Sequence, residues 1–527
     1  MTIPQWADAV RIASKSSITK LRLNLVKIQD EFQRNDGEMP SFSLRSKVFV
    51  DFTGVCGIIL SLTHRRRNMS LTYKRQNAFK SASPEELKKI FDYNEGYKKY
   101  LDNGKTERET VTETIEMAKA NGYTEYTLGD KINPGDKLYY NNRGKALFII
   151  KAGKADLAKN GVRILVAHVD SPRLDLKQVP LYESSDMAFL KTHYYGGIKK
   201  YQWLALPLAL HGVVALKSGE VVNVSVGEED GDPVFYITDL LPHLSQEYNE
   251  KTVASAFKGE NLNVLIGGIP ADGDDAHLVK ANALKLLNEK YGITEEDFLS
   301  AEIEAVPALK AKDVGFDRAF VASYGHDDRV CAYPEVTATL ETETDQTVLT
   351  ILADKEEVGS EGNSGMQCVL IKDILDILAD NYGVSSAVVR AHSMCLSADV
   401  TAAYDPNYAD AFEPKNGSFD GNMSLINYGV AMNKFTGSRG KSGSNDASAE
   451  FIGHLRAVFE KDGVVWQTGE LGRVDLGGGG TVAKFLANYN IDTVDLGVPV
   501  LSMHAPYELV SKADVYEAHK AFSAFIK

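Results

Sequence analysis

Short apolar runs that alternate with longer amphipathic stretches constrain the fold of this chain more than any other feature. Runs rich in Val, Ile and Leu are typical of buried strands, and six of them lie at 147–151, 162–168, 319–323, 348–353, 386–390 and 498–502. Helical patterns cover 83–122, 365–382, 446–460 and 511–526, and Ser83 is the expected N-cap of the first. This alternation predicts an α/β domain with a mixed sheet flanked by helices.

The pattern changes between residues 177 and 313. The segment HGVVALKSGEVVNVSVG predicts a hairpin that turns at Ser218 and Gly219, and the segments EEDGDP and ADGDD predict loops. We interpret 178–313 as a β-rich domain inserted into a catalytic domain made of 69–177 and 314–527. A chain of 527 residues has room for several domains, since a domain takes roughly 150 residues.

The first 68 residues differ from the rest. The run VFVDFTGVCGIILSL (48–62) contains Asp51 and precedes three arginines, Arg65, Arg66 and Arg67. A transmembrane helix needs roughly 20 apolar residues, and a secretory signal carries its positive charge before the apolar run. We therefore expect neither. From Met69 onward the sequence is polar and helix-rich, so 1–68 is interpreted as an N-terminal extension or as a start upstream of the native one.

Charge and cysteine content narrow the function classes. The net charge of −14 argues against a nucleic-acid partner, because an acidic surface repels phosphate. The four cysteines form no CxxC pair and are too few for a secreted disulfide framework. We therefore expect a cytoplasmic protein with no membrane partner.

Five polar clusters follow the predicted strands, where open α/β sheets bind their ligands. They are AHVDSP with His168 and Asp170, YGHDDR with Asp327 and Asp328, DKEEVGS with Glu356 and Glu357, SADV with Asp399, and SMHAP with His504. A single histidine or carboxylate at a strand end most often has a structural role. Together, however, they supply the nitrogen and oxygen ligands that zinc, cobalt or manganese accept. A shared carboxylate would allow such a set to hold two ions, which activate a water molecule and polarise a carbonyl.

These motifs, in this order, resemble those of the aspartyl aminopeptidase and aminopeptidase I family of zinc metallopeptidases. The resemblance covers the chain from about residue 69 to its C-terminus. It implies that His168 and Asp399 bind one metal ion, and that Glu357 and His504 bind a second. Asp327 would bridge the two. The implied cofactors are two divalent ions per chain, zinc foremost, with cobalt or manganese as alternatives.

The resemblance also implies catalytic and assembly roles. Glu356 would be the general base, and Asp170 would orient His168. The inserted domain would mediate dimerisation, and the dimers would assemble into a dodecamer. The expected reaction removes the N-terminal residue from peptides with a free N-terminus by a metal-activated water.

Three positions depart from the better-known members of that family. Ala402 replaces a histidine, Asp328 replaces a frequent asparagine, and the segment QWLALP (202–207) lacks an Asp-Arg-Asp sequence. They argue against a preference for acidic substrates and favour a bacterial aminopeptidase I-like branch. The preferred N-terminal residue stays open.

Two alternatives to the aminopeptidase stay open at this point. One is a related two-metal amidohydrolase or carboxypeptidase. The other is a non-catalytic assembly protein of the same fold, which the presence of the complete ligand set and the base disfavours.

Several further motifs have simpler interpretations. GSRGKSG lacks the first glycine of a phosphate-binding loop, because Phe435 stands there. GGGGT (477–481) is expected to be a loop near the active site. His211 and His392 are expected to be structural, whereas a role for His193 across a subunit boundary stays open.

Overall fold

A nine-stranded mixed sheet is the largest element of the structure, a computed structural model that describes residues 71–527 except 275, 413–420, 471 and 476. In spatial order its strands are β1 (Thr124–Glu125), β2 (Lys137–Asn142), β3 (Ala146–Lys151), β13 (Thr347–Ala353), β4 (Val162–His168), β14 (Met394–Ser397), β18 (Asp492–Gly497), β16 (Val430–Asn433) and β17 (Trp466–Thr468). The neighbours β13, β4, β14 and β18 run parallel to one another. The pairs β2–β3, β3–β13 and β16–β18 are antiparallel.

Helices cover both faces of this sheet. On β4, Leu165 and Ala167 belong to one hydrophobic core, and Ile164 and Val166 belong to another, because successive side chains of a strand point to opposite faces. The first core also contains side chains of α2 (Pro84–Asn103), α3 (Glu107–Ala120), α8 (His326–Glu341), α11 (Ala449–Asp462) and α13 (Lys512–Ile526). The second contains side chains of α4 (Leu157–Asn160), α9 (Leu370–Asn381), α10 (Ser386–His392) and α12 (Ala483–Ala487). The predicted mixed α/β fold is confirmed.

The N-terminal helical region consists of a short helix, α1 (Ala78–Ser81), followed by α2 and α3. The Ser83 hydroxyl accepts a hydrogen bond from the Glu86 N–H at 3.1 Å, as expected of an N-cap. Thr106 and Glu109 form a capping box that starts α3. The helices expected at 365–382, 446–460 and 511–526 are α9, α11 and α13, and α9 begins only at Leu370.

A second, six-stranded antiparallel sheet is built from the part of the chain in which the pattern changes. In spatial order it contains β8 (Val221–Val226), β7 (Leu208–Ala215), β10 (Ala301–Pro307), β5 (Arg173–Ser184), β6 (Met187–Tyr195) and β9 (Val264–Gly267). The same region contains three helices, α5 (Gln246–Asn249), α6 (Val253–Ala256) and α7 (Leu278–Tyr291). Its hydrophobic core includes Trp203 and Phe298. The predicted hairpin is β7–β8, which turns at Gly219 with a φ of +91°.

A small third sheet contains two of the predicted strands. In spatial order its strands are β11 (Lys312–Val314), β12 (Phe320–Ser323), β20 (Glu508–Ser511), β19 (Pro499–Leu501) and β15 (Thr401–Ala402). The runs at 319–323 and 498–502 therefore form strands, but they lie in this sheet and not in the main one.

The strand predicted at 386–390 is wrong, because this segment belongs to helix α10. The strand that leads to Asp399 is β14, which the sequence analysis missed. A short apolar run lacks the length that separates a strand from one or two turns of helix.

The predictions for residues 1–68, including the apolar run at 48–62, lie outside the described residues. Within the described part of the chain, we find no helix with the length and apolar character that crossing a membrane requires.

Candidate metal centre

The candidate site is built from residues that follow strands of the main sheet and of the third sheet. Strands β13, β4 and β14 are adjacent and parallel, so that the segments after them meet at one edge of the main sheet. His168 is the last residue of β4, Glu356 and Glu357 follow β13, and Asp399 follows β14. Asp327 follows β12 of the third sheet and lies in the first turn of α8. His504 lies between β19 and β20 of that sheet.

Asp327 lies between the two histidines. Its Oδ1 is 3.1 Å from Nε2 of His168, and its Oδ2 is 3.1 Å from Nε2 of His504. A second carboxylate lies near each imidazole: Asp399 Oδ1 is 3.9 Å from His168 Nε2, and Glu357 Oε1 is 3.6 Å from His504 Nε2. The structure therefore brings together all five residues predicted to bind metal.

Several atoms that face the centre form no hydrogen bond with any described residue. They are His168 Nε2, Asp327 Oδ1 and Glu357 Oε1. Buried polar atoms normally have partners, and a metal ion would supply them here. Ligand atoms lie within 4.8 Å of one another in three groups: His168, Asp327 and Glu357; His168, Glu356 and Asp399; and Asp327, Asp328 and Asp399. Imidazole and carboxylate ligands at these separations fit zinc.

The charges of the site also favour cations, because its carboxylates outnumber its imidazoles. Burial and the charge of Glu356 raise the pKa of Asp399 well above its usual range. Burial and the charge of Asp327 do the same to the pKa of Glu357. Burial opposes a charged imidazole at His504, but Asp327 outweighs it and raises the pKa of His504 to about 10. Divalent ions would neutralise these crowded carboxylates.

Glu356 lies at the margin of the cluster. Its Oε2 is 3.9 Å from His168 Nε2, and 18% of its side chain is exposed, compared with 4% for Glu357. Burial raises the pKa of Glu356 as well. A carboxylate in this position is available to a water molecule or a substrate.

The buried Asp170 side chain holds three parts of the site together. Its Oδ1 and Oδ2 accept hydrogen bonds from the N–H groups of Glu356 and Glu357, each at 3.2 Å. Oδ1 is also 3.3 Å from Nδ1 of His168, and Oδ2 accepts a hydrogen bond of 2.9 Å from the Tyr195 hydroxyl. A proton on His168 Nδ1 leaves its Nε2 lone pair facing the centre.

Comparison with known proteins decides the family. The model of the "Aminopeptidase I zinc metalloprotease (M18)" family matches residues 100–526. This chain belongs to the M18 family of aminopeptidases. It is a metallo-aminopeptidase, and its family is one of zinc hydrolases.

Relatives of this M18 aminopeptidase match it over most of their length. A probable M18 family aminopeptidase 1 from Clostridium acetobutylicum is 50% identical over 461 residues, which are 86% of this chain and 98% of the relative. The crystal structure of an M18 aminopeptidase from Thermotoga maritima has a TM-score of 0.81 at 41% identity, and the match covers 86% of this chain and 100% of that one. A yeast aminopeptidase 1 solved as a dodecamer shares the fold, with a TM-score of 0.67 at 20% identity over 82% of this chain and 96% of its own.

The sequence analysis of this M18 aminopeptidase missed three residues that support the site. Glu508 accepts hydrogen bonds from the N–H groups of Asp327 at 3.1 Å and of His504 at 2.7 Å. The Gly197 carbonyl accepts a hydrogen bond of 2.9 Å from Nδ1 of His504. Glu508 and Gly197 therefore position His504, as Tyr195 positions Asp170. Only Glu508, four residues after His504, has a sequence position that could have indicated its role.

Two glycines allow the loop after β6 to approach the centre. Gly196 has a φ of +71°, and a Cβ atom there would lie 2.9 Å from Oε2 of Glu357. A Cβ atom on Gly197 would lie 3.2 Å from Nδ1 of His504. A side chain at either position would press on a candidate ligand.

The other histidines singled out from the sequence lie outside the cluster. His211 is buried and bonds to Glu109 at 2.8 Å, as expected of a structural residue. His392 is exposed, and its Nδ1 lies 2.5 Å from the Ala158 carbonyl oxygen. His193 is exposed on β6, and its ring contacts that of Tyr194.

Proposed function

We propose that this M18 aminopeptidase holds two divalent metal ions, zinc foremost and cobalt or manganese as alternatives. His168 and Asp399 would hold one ion, His504 and Glu357 the other, and Asp327 both. The observation that carries the proposal is the Asp327 carboxylate, whose two oxygens each lie 3.1 Å from a different imidazole. The proposed substrates are peptides with a free N-terminus.

The remaining residues suggest how the peptide bond is hydrolysed. Bound zinc polarises a carbonyl and lowers the pKa of water. Glu356 takes a proton from the attacking water and transfers it to the leaving nitrogen, and its raised pKa suits both steps. The backbone carbonyl of Asp170 accepts a hydrogen bond of 2.9 Å from Nδ1 of His168, and its carboxylate holds the peptide groups of the two glutamates. The free amine of the substrate would bind near the metal ions and their carboxylate ligands.

We also propose the domain and assembly roles of the inserted segment. Residues 178–313 would be a dimerisation domain inserted into a catalytic domain made of 69–177 and 314–527. The separate sheet and hydrophobic core of this region support the proposal. Assembly into a dodecamer is proposed from the related yeast enzyme. A cytoplasmic location is proposed because the three described cysteines, Cys331, Cys368 and Cys395, are free thiols.

The test combines metal analysis with a panel of substrates. The purified protein is stripped of metal, reloaded with zinc, cobalt or manganese, and offered free and N-acetylated aminoacyl chromophores. We expect about two ions per chain and turnover of the free substrates only. Cleavage of acetylated substrates would identify an amidohydrolase, and release of C-terminal residues from a peptide would identify a carboxypeptidase. Two ions without turnover would favour an assembly protein, and one ion per chain would exclude the bridged site.

A further inference from the structure

A cavity of about 320 Å³ opens directly beside the metal centre. Asp399 lines one end of it, together with Met503, the residue before His504. Val400 and Phe435 form apolar parts of its wall, and glycines of the GSRGKSG and GGGGT segments complete it, so GGGGT lies near the site as expected. Because the proposed metal ligand Asp399 lines it, the cavity is adjacent to the place where the N-terminal residue of a substrate would bind.

Four polar residues that line the cavity have buried side-chain oxygen atoms that form no hydrogen bond to any described residue. They are Asn433, Thr436, Thr481 and Asp495. Asp495 is only 2% exposed, and both of its carboxylate oxygens lack a partner. Asn433 on β16 is paired directly with Asp495 on β18, and residues paired in this way have neighbouring side chains.

A buried carboxylate without hydrogen bonds is costly to a protein. Burial raises the pKa of Asp495 to about 7, and the Thr481 hydroxyl offsets part of this rise although the two groups lack hydrogen-bond geometry. A ligand that brings N–H donors would satisfy these oxygens. A ligand with a second carboxylate would be repelled.

Three basic residues also line the cavity, but all of them are exposed at its mouth: Arg439, Lys441 and Arg473. Lys441 bonds to Asp446 at 2.8 Å, and Arg473 donates to the Asp410 carbonyl. Solvent screens charges at the mouth far more than charges at the buried end. The carboxylates of Asp399 and Glu470 line the cavity as well, but that of Asp495 is the most deeply buried of the three.

We propose that Asp495 is a specificity-determining residue, which selects N-terminal residues whose side chains end in N–H donors. Lysine and arginine fit this requirement, since an ammonium offers three donors and a guanidinium five. An N-terminal norleucine, which is an uncharged analogue of lysine without the ammonium group, is disfavoured. An N-terminal glutamate is disfavoured as well. The inference rests on the proposed aminopeptidase function and adds a substrate class to it.

The test compares fluorogenic amides of lysine, arginine, norleucine and glutamate with the zinc-loaded enzyme. We expect kcat/KM for lysine to exceed that for norleucine by about tenfold or more, because a site built for hydrogen bonds rejects an analogue that lacks them. Asp495→Asn should lower this ratio by about tenfold. Asp492→Asn, at an exposed position of the same strand, is the matched control and should keep the ratio. Equal rates for lysine and norleucine, or equal ratios in the two variants, would overturn the proposal.

A binding measurement separates this proposal from the function on which it rests. Lysine amide and norleucine amide are titrated into the zinc-loaded wild-type protein by calorimetry. Tighter binding of lysine amide supports selection for N–H donors by this cavity even if no substrate is hydrolysed, and equal affinities exclude the proposal. Absence of turnover on every aminoacyl substrate would instead refute the aminopeptidase function. The wild-type comparison also does not depend on the folding of any variant.

Discussion

Glu356 and Glu357 are adjacent in sequence but occupy different environments. Glu357 Oε1 is 3.6 Å from His504 Nε2, and its side chain is almost completely buried. Glu356 Oε2 is 3.9 Å from His168 Nε2, and its side chain is more exposed than that of Glu357. A ligand has to face the ion, whereas a base has to reach the water, so the two environments match the two proposed roles.

The two glutamates should therefore respond differently to the same substitution. Glu356→Gln should keep about two metal ions per chain but lose roughly 100- to 10,000-fold in turnover, the usual contribution of a general base. Glu357→Gln should lose metal, and excess zinc should restore part of its activity. Elemental analysis and turnover on one aminoacyl substrate measure both effects.

The exposed Glu361 in the following loop provides the control, and Glu361→Gln should behave as the wild type. Equal metal loss in the Glu356 and Glu357 variants would mean that both residues are ligands. A fully active Glu356→Gln enzyme would exclude this residue as the base.

Asp170 offers a second test at the residue scale. In Asp170→Asn, one oxygen becomes an NH₂ group that opposes the N–H of either Glu356 or Glu357. We expect metal affinity or activity to fall by roughly 10- to 100-fold, the usual cost of losing a group that orients a ligand. Tyr195→Phe removes only one hydrogen bond to Asp170 and should cost less. Zinc titration against a competing chelator measures the affinities, and a wild-type value for Asp170→Asn would contradict the role.

At the scale of elements, apolar runs predicted strands correctly, including the short strands β12 and β19, but the run at 386–390 was misinterpreted. β4 and β13 have continuous apolar sequences that are buried in the sheet, and the sequence analysis found both. The segment at 386–390 was mistaken for a strand because its few apolar residues fit either structure. Membership of the third sheet depends on contacts between segments far apart in sequence, which no local pattern records.

The same limit applies to the candidate site. The five candidate ligands and the base lie in recognisable motifs beside apolar runs. Tyr195, Gly197 and Glu508 support the site through tertiary contacts, and Tyr195 and Gly197 come from the inserted segment. The roles of these three residues follow from their positions in the tertiary structure.

His519 on helix α13 makes the stability of the folded protein depend on pH. It is half-buried against α2 and α8. Its Nδ1 lies 2.9 Å from the Thr337 hydroxyl, its ring 5.0 Å from that of Tyr93, and its Nε2 3.8 Å from Oε2 of Glu341. Burial lowers the pKa of His519 from 6.5 to about 4. Below about pH 6.5 the unfolded chain binds a proton that the folded helix excludes, so stability falls as the pH falls.

This histidine should account for up to about 2 kcal/mol of stability lost between pH 7 and pH 5. His519→Gln removes the titrating group, so its thermal midpoint should fall less over that range than the wild-type midpoint. Both proteins are melted in excess chelator, so that release of metal does not contribute. His392→Gln, at an exposed position of α10, is the control and should lose as much stability over this range as the wild type. Equal losses for wild type and His519→Gln would contradict the assignment.

At the scale of the whole molecule, the inserted segment exposes many large apolar side chains within a short stretch. They are Val234, Tyr236, Leu240, Leu241, Leu244, Tyr248 and Val253. Large exposed apolar patches are typical of interfaces between proteins. This stretch is therefore the expected contact in the proposed dimer.

Charge placed in this stretch should separate the subunits. We expect the double variant Leu241→Glu and Leu244→Glu to shift the mass measured by light scattering toward the 57.8 kDa of one chain. Leu87→Glu, at an exposed position of α2, should leave the mass of the assembly unchanged. A wild-type protein that is monomeric, or a double variant of unchanged mass, would contradict the proposed role of the insert.

The position of β4 between β13 and β14 affects the order in which the enzyme becomes active during synthesis. At roughly 5 to 20 residues per second, His504 leaves the ribosome on the order of 20 to 70 s after His168. Strands β13 and β14, the parallel neighbours of β4, leave the ribosome in between. Until His504 follows them, the nascent chain lacks the second imidazole. We therefore expect the proposed two-ion centre to be completed only near the end of synthesis, so that metal loading would be one of the last steps of maturation.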